Sequence, residues 1–504
     1  MFCTLCLWIM ALPASANQSS DLQQNFEAKI QTLPEKALTF DFVLTKAMNS
    51  SSSYKIIKAE QSGTGAAQIK SLAPLDGEAY AKATSYNGRN EPTNPFAPYR
   101  QISRGVTVGG KKYFASGTLA TAEVSHGYTE FNIGGAFPVT SQFYQTTASA
   151  FLHQNLFRDA FGQATRAGAE AGKLTSESMI KQTELNKEDW FFNLARQFYG
   201  AWNAQVRVRE ATETLERKKR LLDMTRLRAR RGTAERPDVI QVETALKQAE
   251  LVLNAERQNL QDTWRLLITI LELPADWLNV DPMLVPMKVD FPEIEAKALC
   301  AKDDHVPISV NTEKMKIDKE ALTLNAERLT SVGRPETLLS MGVTANGVDQ
   351  RSGPTYPETY SLEHPAYTVG LTLNIPLGNS ENESQLMQTR SDKRRLEAMI
   401  AHTSSNEKTI FRNLCHDLNR HTQSIEMLDK MKQEQGMRGR LEKERYELGR
   451  APLINMINAE DDLMNVELQH SGLVASEKII AWNLLKYSGA VLSKINEKEK
   501  MVSE

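Results

Sequence analysis

Apolar positions along this chain follow two periods. Over most of its length they recur every three or four residues. Val239, Val242, Leu246, Ala249, Leu253, Leu260 and Leu267 form one such series, and Leu414, Leu418, Ile425 and Leu428 another. That spacing gathers them on one stripe of a helix and predicts a coiled-coil seam. In the second half the series from Met456 through Ala459, Leu463 and Val466 runs on to His470, Glu477 and Leu484, so polar residues interrupt it. The helical runs are long. Leu174 to Arg231 holds no proline and one glycine, Gly200, and as a helix would extend on the order of 85 Å. A second proline-free run separates Pro376 from Pro452.

Elsewhere the period drops to two, the signature of a strand with two unlike faces. Tyr367, Val369, Leu371, Leu373 and Ile375 alternate with Thr368, Gly370, Thr372 and Asn374. Weaker alternation runs through Ala120 to Ile133, Tyr144 to Leu152, and Leu339 to Ala345. These segments predict four strands, at about 119–134, 143–156, 336–347 and 366–377. Each suffices for a tilted membrane strand of about 9 to 11 residues, and a soluble antiparallel sheet would alternate in the same way. Four strands cannot close a membrane barrel, because the smallest have about eight. A membrane reading therefore requires several chains to share one barrel.

One pattern occurs twice, 217 residues apart. Arg228, Gly232, Asp238, Val239, Ile240, Gln241, Glu243 and Leu246 have gap-free counterparts in Arg445, Gly449, Asn455, Met456, Ile457, Asn458, Glu460 and Leu463. Pro237 or Pro452 follows each glycine, and helix-forming sequence flanks both. Glycine and proline break helices, so each copy predicts a helical hairpin with its tip near 232–237 or 449–454. The chain then divides into a first repeat, 17–273, and a connector with a second repeat, 274–504. A helix is predicted from Leu38 to about Lys70 and another from Val310 to Arg328. The stretch 71–117, with Pro92, Pro95 and Pro98 close together, reads as an irregular insertion.

Composition narrows the function classes. Charged residues are 24% of the chain and nearly cancel, to a net charge of -2, which argues against a nucleic-acid binder. The four cysteines, Cys3, Cys6, Cys300 and Cys415, lack metal-ligand spacing. Cys415 sits at helical spacing beside Leu414 and Leu418 and predicts a packed thiol. There is no phosphate loop, nucleophile elbow or HExxH, and His416 and His421 read as helix-face residues. No enzyme activity, cofactor or metal is expected. The basic run from Arg217 to Arg220, with Arg226, Arg228, Arg230 and Arg231, predicts a solvated helix face; docking to an acidic partner is the alternative. Phe2 to Leu12 is apolar, and Ala14-Ser15-Ala16 resembles a cleavage site, so residues 1–16 read as an export signal, although no Lys or Arg precedes the apolar run. Beyond it, nothing approaches the roughly 18 apolar residues of a spanning helix.

The order helix, strand, strand, long helical hairpin, then the same again, resembles the TolC-like outer membrane efflux proteins. Leu38-Thr39-Phe40 with Asn49-Ser50, Arg334-Pro335 before a strand, Val369-Gly370-Leu371 leading to Pro376-Leu377, and Arg445-Tyr446-Glu447-Leu448-Gly449 carry the likeness over most of the chain. The resemblance implies a mainly α fold with a small β part: a homotrimer whose three sets of four strands form a twelve-stranded outer membrane β-barrel, continued by a periplasmic α-helical coiled-coil tunnel. It implies a passive exit duct for efflux or type I secretion in a Gram-negative bacterium. The implied partners are outer membrane lipid, a periplasmic adaptor (membrane fusion) protein and an inner membrane pump of the RND, ABC or MFS type. The tips, Gly232 and Gly449 with Arg228 and Arg445, would dock the adaptor. Asp238, Tyr446, Arg450, Asn455 and Asn458 would form a gate, through an Asp238–Arg450 or Asp238–Tyr446 contact, although Asp238 and Asn455 also suit helix capping. Leu371 and Leu373 would face lipid. An exported soluble coiled-coil scaffold with a small β domain is the alternative. The insertion 71–117 is longer than the resemblance leads one to expect.

Overall fold

The computed structural model describes residues 37–89, 91, 94, 97–133, 139–289, 293–301 and 309–503. The proposed export signal with Cys3 and Cys6 lies outside the described residues, as do Pro92, Pro95, Pro138 and Pro292. In chain order the elements begin with β1 (Leu38–Thr39), α1 (Phe40–Ser50), α2 (Ser52–Ser62) and α3 (Ala66–Leu72). Strands β2 (Gly77–Arg89), β3 (Pro98–Tyr113), β4 (Thr118–Ile133) and β5 (Val139–Asn155) follow, then the hairpin α4 (Gln163–Arg230) and α5 (Arg236–Leu271). The second half has β6 (Met287–Lys288), α6 (Glu293–Cys300), α7 (Val310–Val332), β7 (Glu336–Asp349), α8 (Thr355–Tyr360) and β8 (Pro365–Asn374). It closes with the hairpin α9 (Ser380–Glu447) and α10 (Leu453–Lys486), and α11 (Ala490–Ser503). The fold is mainly helical with one substantial sheet. The chain forms two compact units, one of Met1–Gln61, Gln182–Val310 and Thr403–Glu504, the other of Ser62–Lys181 and Asn311–His402.

In the first unit, Thr39 caps α1 by accepting from the Phe42 amide at 3.3 Å. Phe40, Val43, Leu44 and Ala47, at helical spacing, are all buried. The Phe40 ring meets those of Phe191, Tyr199 and Trp482 with centroids 5.3, 5.7 and 5.9 Å away, and the Trp482 indole donates to the Tyr199 hydroxyl at 2.9 Å. Helix α11 clasps the same core. Asp41 pairs with Lys494 at 3.2 Å and with Lys498, and Glu499 accepts from Tyr54 and Lys187. Along α5 the predicted seam is real: Val242, Ala249, Leu253, Leu260 and Leu267 are buried. Glu477, a polar interruption of the other series, is buried and accepts from Thr422 at 2.8 Å.

Two expectations need correction here. The helix from Leu38 to Lys70 is three helices, broken at Ser51, whose backbone is extended (φ −66°, ψ 123°), and by a turn at residues 63–65. Four consecutive serines and two glycines supply weak helix formers at those points. Cys415 is not a free packed thiol. It forms a disulfide with Cys300, 115 residues away, joining α6 to α9. Helical spacing identified a packed position, but no local pattern reveals a distant partner.

The second unit holds a six-stranded antiparallel sheet, ordered β2-β3-β4-β5-β7-β8. The stretch 71–117 is therefore not irregular. It supplies two strands of 13 and 16 residues; Pro92 and Pro95 fall in the connection, and Pro98 opens β3, where its missing amide costs little. Four strands is therefore an undercount: the sheet of one chain holds six. Directly paired residues share a face. One face carries the rows Ala81–Val108–Val124–Ala148–Ala345 and Ala79–Gly110–Ala122–Ala150–Val343–Tyr367. The other carries Lys82–Thr107–Ser125–Thr147–Asn346 and Tyr80–Gly109–Glu123–Ser149–Thr344. An apolar band thus crosses all six strands on one side of the sheet. Leu371 and Leu373 lie on the same face beyond the band, in rows with Leu339, Gln154 and Thr118 and with Thr337; Thr372 and Asn374 lie on the polar side. At one end of the band Tyr128 packs on Tyr144 (5.2 Å), and His126 stacks on Tyr356 of α8 (4.8 Å). Thr355 and Thr359 of α8 bond to Thr146 there.

Candidate functional site

The tips of the two hairpins lie in the first unit and end in the same way. The Thr233 amide bonds the Arg228 carbonyl and the Gly232 amide bonds that of Ala229, both at 3.0 Å. In the second hairpin Arg450 bonds Arg445 at 2.8 Å and Gly449 bonds Tyr446 at 2.9 Å. This paired pattern satisfies the last carbonyls of a helix and needs a left-handed residue at its end. Gly232 (φ +74°) and Gly449 (φ +72°) supply it. Both are exposed, and a Cβ on Gly232 would meet no atom within 4 Å.

The residues expected to form a gate do not make the expected contacts. Asp238 reaches neither Arg450 nor Tyr446. It sits at the third position of α5 and accepts from the Glu235 amide at 3.0 Å. An aspartate there is within reach of the helix's own free amides, and that local bond competes with any distant one. Asn455 is not the cap of α10 either; Pro452 occupies that position, with no side-chain cap. Asn458 and Arg450 are exposed. Arg445 is exposed and pairs with Glu442 at 3.1 Å.

Tyr446 is instead the centre of the link between hairpins. It is 4% exposed, packed with Leu221, Leu222, Val242, Leu453, Met456 and Ile457. The Arg228 guanidinium lies 4.3 Å from the centroid of its ring and donates to its carbonyl, and its hydroxyl meets that of Thr225 at 3.2 Å. Three turns back, Arg217 and Lys218 of the basic run turn inward rather than to solvent. Arg217 pairs with Glu460 and lies 3.6 Å from Glu467, and Lys218, buried, pairs with Asp461. Lys432 of α9 lies 3.6 Å from both Glu210 and Glu467. Lys219 and Arg220 are exposed, as are Arg226, Arg230 and Arg231, and Lys219 pairs with Glu216 on the surface. Arg217 and Lys218 depart from the expected solvated face because their acidic partners sit on the other hairpin, although Glu460 stands in the repeated pattern.

Burial, with Glu210 beside it, pushes the Glu467 carboxyl up to about 7. Burial likewise pushes Glu188, fully enclosed and 3.3 Å from Lys486, up to about 7. A carboxyl whose folded pKa is raised binds its proton more tightly in the folded chain, so its contribution is full below the unfolded value and is lost as pH rises through the folded one. Stability of the helical unit should therefore fall between about pH 4.5 and 7. Glu188→Gln with Glu467→Gln should flatten that slope in denaturant titrations across the range; an unchanged slope would show that neither group carries it.

Among the described residues no group of three or more His, Cys, Asp and Glu could hold a metal ion. No described helix is long and apolar enough to cross a membrane.

No family model and no curated protein sequence matches the chain. Solved structures do. The outer membrane protein VceC of Vibrio cholerae is similar over 94% of this chain and 97% of its own, with a TM-score of 0.62 at 12% identity. The CmeC outer membrane channel of Campylobacter jejuni is similar over 92% and 89%, with a TM-score of 0.62 at 12% identity. The open state of the MtrE outer membrane channel of Neisseria gonorrhoeae is similar over 90% and 89%, with a TM-score of 0.60 at 12% identity. The chain has the fold of these proteins.

Proposed function

We propose that this chain is one subunit of a homotrimeric, TolC-like channel in the outer membrane of a Gram-negative bacterium. It serves as the passive duct of an efflux or type I secretion system. The observation that carries the reading is the two-faced sheet. An apolar band crosses every strand, polar side chains cover the reverse, and aromatic rings stand at one end of the band, as they do where a barrel meets the membrane interface. The shared fold with outer membrane channels supports it. The duct is passive, and energy comes from an inner membrane pump reached through a periplasmic adaptor.

Cysteine labelling in intact membranes tests the assignment of faces. Thr372→Cys should react with a water-soluble maleimide entering the channel, and Leu371→Cys should not. The opposite result would reverse the faces, and recovery of the chain in the soluble periplasmic fraction would make it a scaffold.

The exposed tips, Gly232 and Gly449 with Arg228 and Arg445 beside them, are the docking surface for the adaptor. Gly232→Trp places a bulky group where space is open, and Gly449→Trp one whose Cβ would lie 3.7 Å from the Arg228 guanidinium, each at a backbone cost of about 1–2 kcal/mol, small against the core. Trimer mass should stay unchanged while export in the native host is lost. Full export by either variant would place docking elsewhere.

A further inference from the structure

The sheet ends in two free edges, β2 and β8, and no oligomer of lipid-embedded sheets can leave them so. In hydrocarbon every backbone amide and carbonyl needs a partner. We propose that β2 of one copy pairs with β8 of the next, so that the trimer closes an eighteen-stranded barrel. This rests on the trimeric-channel reading above.

Three features of the strands support the pairing. The sheet has six strands, each antiparallel to its neighbour. An even count gives the two edges opposite directions, so copies related by rotation meet antiparallel without any change of strand sense. The faces also agree. On β2, Ala79, Ala81 and Ala83 lie on the apolar side and Glu78, Lys82 and Thr84 on the polar side. On β8, Tyr367, Val369, Leu371 and Leu373 are apolar against Thr368 and Thr372. Joining the edges continues both faces unbroken, small side chains beside large. Finally, the β2–β3 hairpin is built as wall. Its polar side carries cross-strand pairs, Lys111 with Glu78 at 2.8 Å and Tyr80 with Glu123 of β4 at 2.9 Å. A hairpin hanging outside the barrel would put Glu78, Lys82 and Lys111 into lipid. Because β3 already occupies the free side of β4, closure by β8 onto β4 would require stripping fifteen or so ladder pairs. Barrel diameter grows roughly linearly with strand number, so the lumen is about one and a half times as wide as one of twelve strands.

Photo-cross-linking decides it. A benzoylphenylalanine at Thr372 in β8, and separately at Lys82 in β2, is irradiated in cells expressing the full chain. Membrane extracts are then sized by light scattering, and the cross-linked peptides are mapped by mass spectrometry. A trimer in which position 372 joins residues 77–89, and position 82 joins residues 365–374, of another copy is the expected result. A trimer in which position 372 joins residues 118–133, or in which neither position joins the other strand, overturns the eighteen-stranded closure while leaving the channel reading intact. A monomer, or no membrane-extracted chain, overturns both.

Discussion

Replacing Tyr446 with alanine is expected to loosen the hairpin tips by about 3–5 kcal/mol, the usual cost of truncating a buried aromatic. The ring fills the space among Leu221, Val242, Leu453 and Met456, and it carries the Arg228 guanidinium on its face. Removing it deletes packing, a cation–π contact and the Thr225 hydrogen bond together. In a channel closed at its tips, this shifts the population towards the open state. Single-channel conductance in planar bilayers should therefore rise for Tyr446→Ala. Tyr446→Phe keeps the ring and loses only the hydroxyl bond, at about 1 kcal/mol, so its conductance should stay close to the parent's. If Tyr446→Ala lowers the melting temperature and leaves conductance unchanged, the link is structural and the gate lies elsewhere. Asp238→Ala is the internal comparison: as a helix-end residue it should cost about 1 kcal/mol of stability with no change in conductance.

Removing the Cys300–Cys415 disulfide is expected to cost about 2–5 kcal/mol. The bond closes a segment 115 residues in sequence, and a loop that long removes much freedom from the unfolded chain. Cys300→Ser with Cys415→Ser, and the parent treated with reductant, should lower the melting temperature equally. If the double variant melts with the parent, α6 is held to α9 by packing alone. Such a bond persists in oxidising compartments such as the periplasm. In a chain freed of residues 1–16 no thiol should then react with Ellman's reagent before reduction.

The long helices, the seam of α5 and the ends at Gly232 and Gly449 were legible because each is written in local spacing. Proline and glycine stop helices wherever they fall, and apolar residues three and four apart share a stripe. Strand β8 was legible because large apolar residues alternate with polar ones. Strand β2 alternates as strictly, Ala79, Ala81 and Ala83 against Tyr80, Lys82 and Thr84, but alanine contrasts weakly with its neighbours, and the nearby prolines pointed to a loop. The remaining errors concern partners. Tyr446 was expected only as a partner of Asp238, and its actual partners Arg228 and Thr225 were not readable, since they stand more than two hundred residues away. A like separation hid the pairing of Arg217 with Glu460, and one of 115 residues hid that of the two cysteines.

Helix α11 grips α1 through Asp41, α2 through Tyr54 and α4 through Lys187. A chain that emerges amino end first therefore meets its own finishing piece only after some four hundred and fifty further residues have been made. Until then the aromatic nest around Phe40 lacks Trp482 and the lid that covers it. The helical unit must travel unfinished, in the care of whatever shields apolar surface on its route, and it locks only when the last segment arrives. Shortening the chain by α11 should thus be felt at its opposite end, as exposure of α1 and α2 to protease.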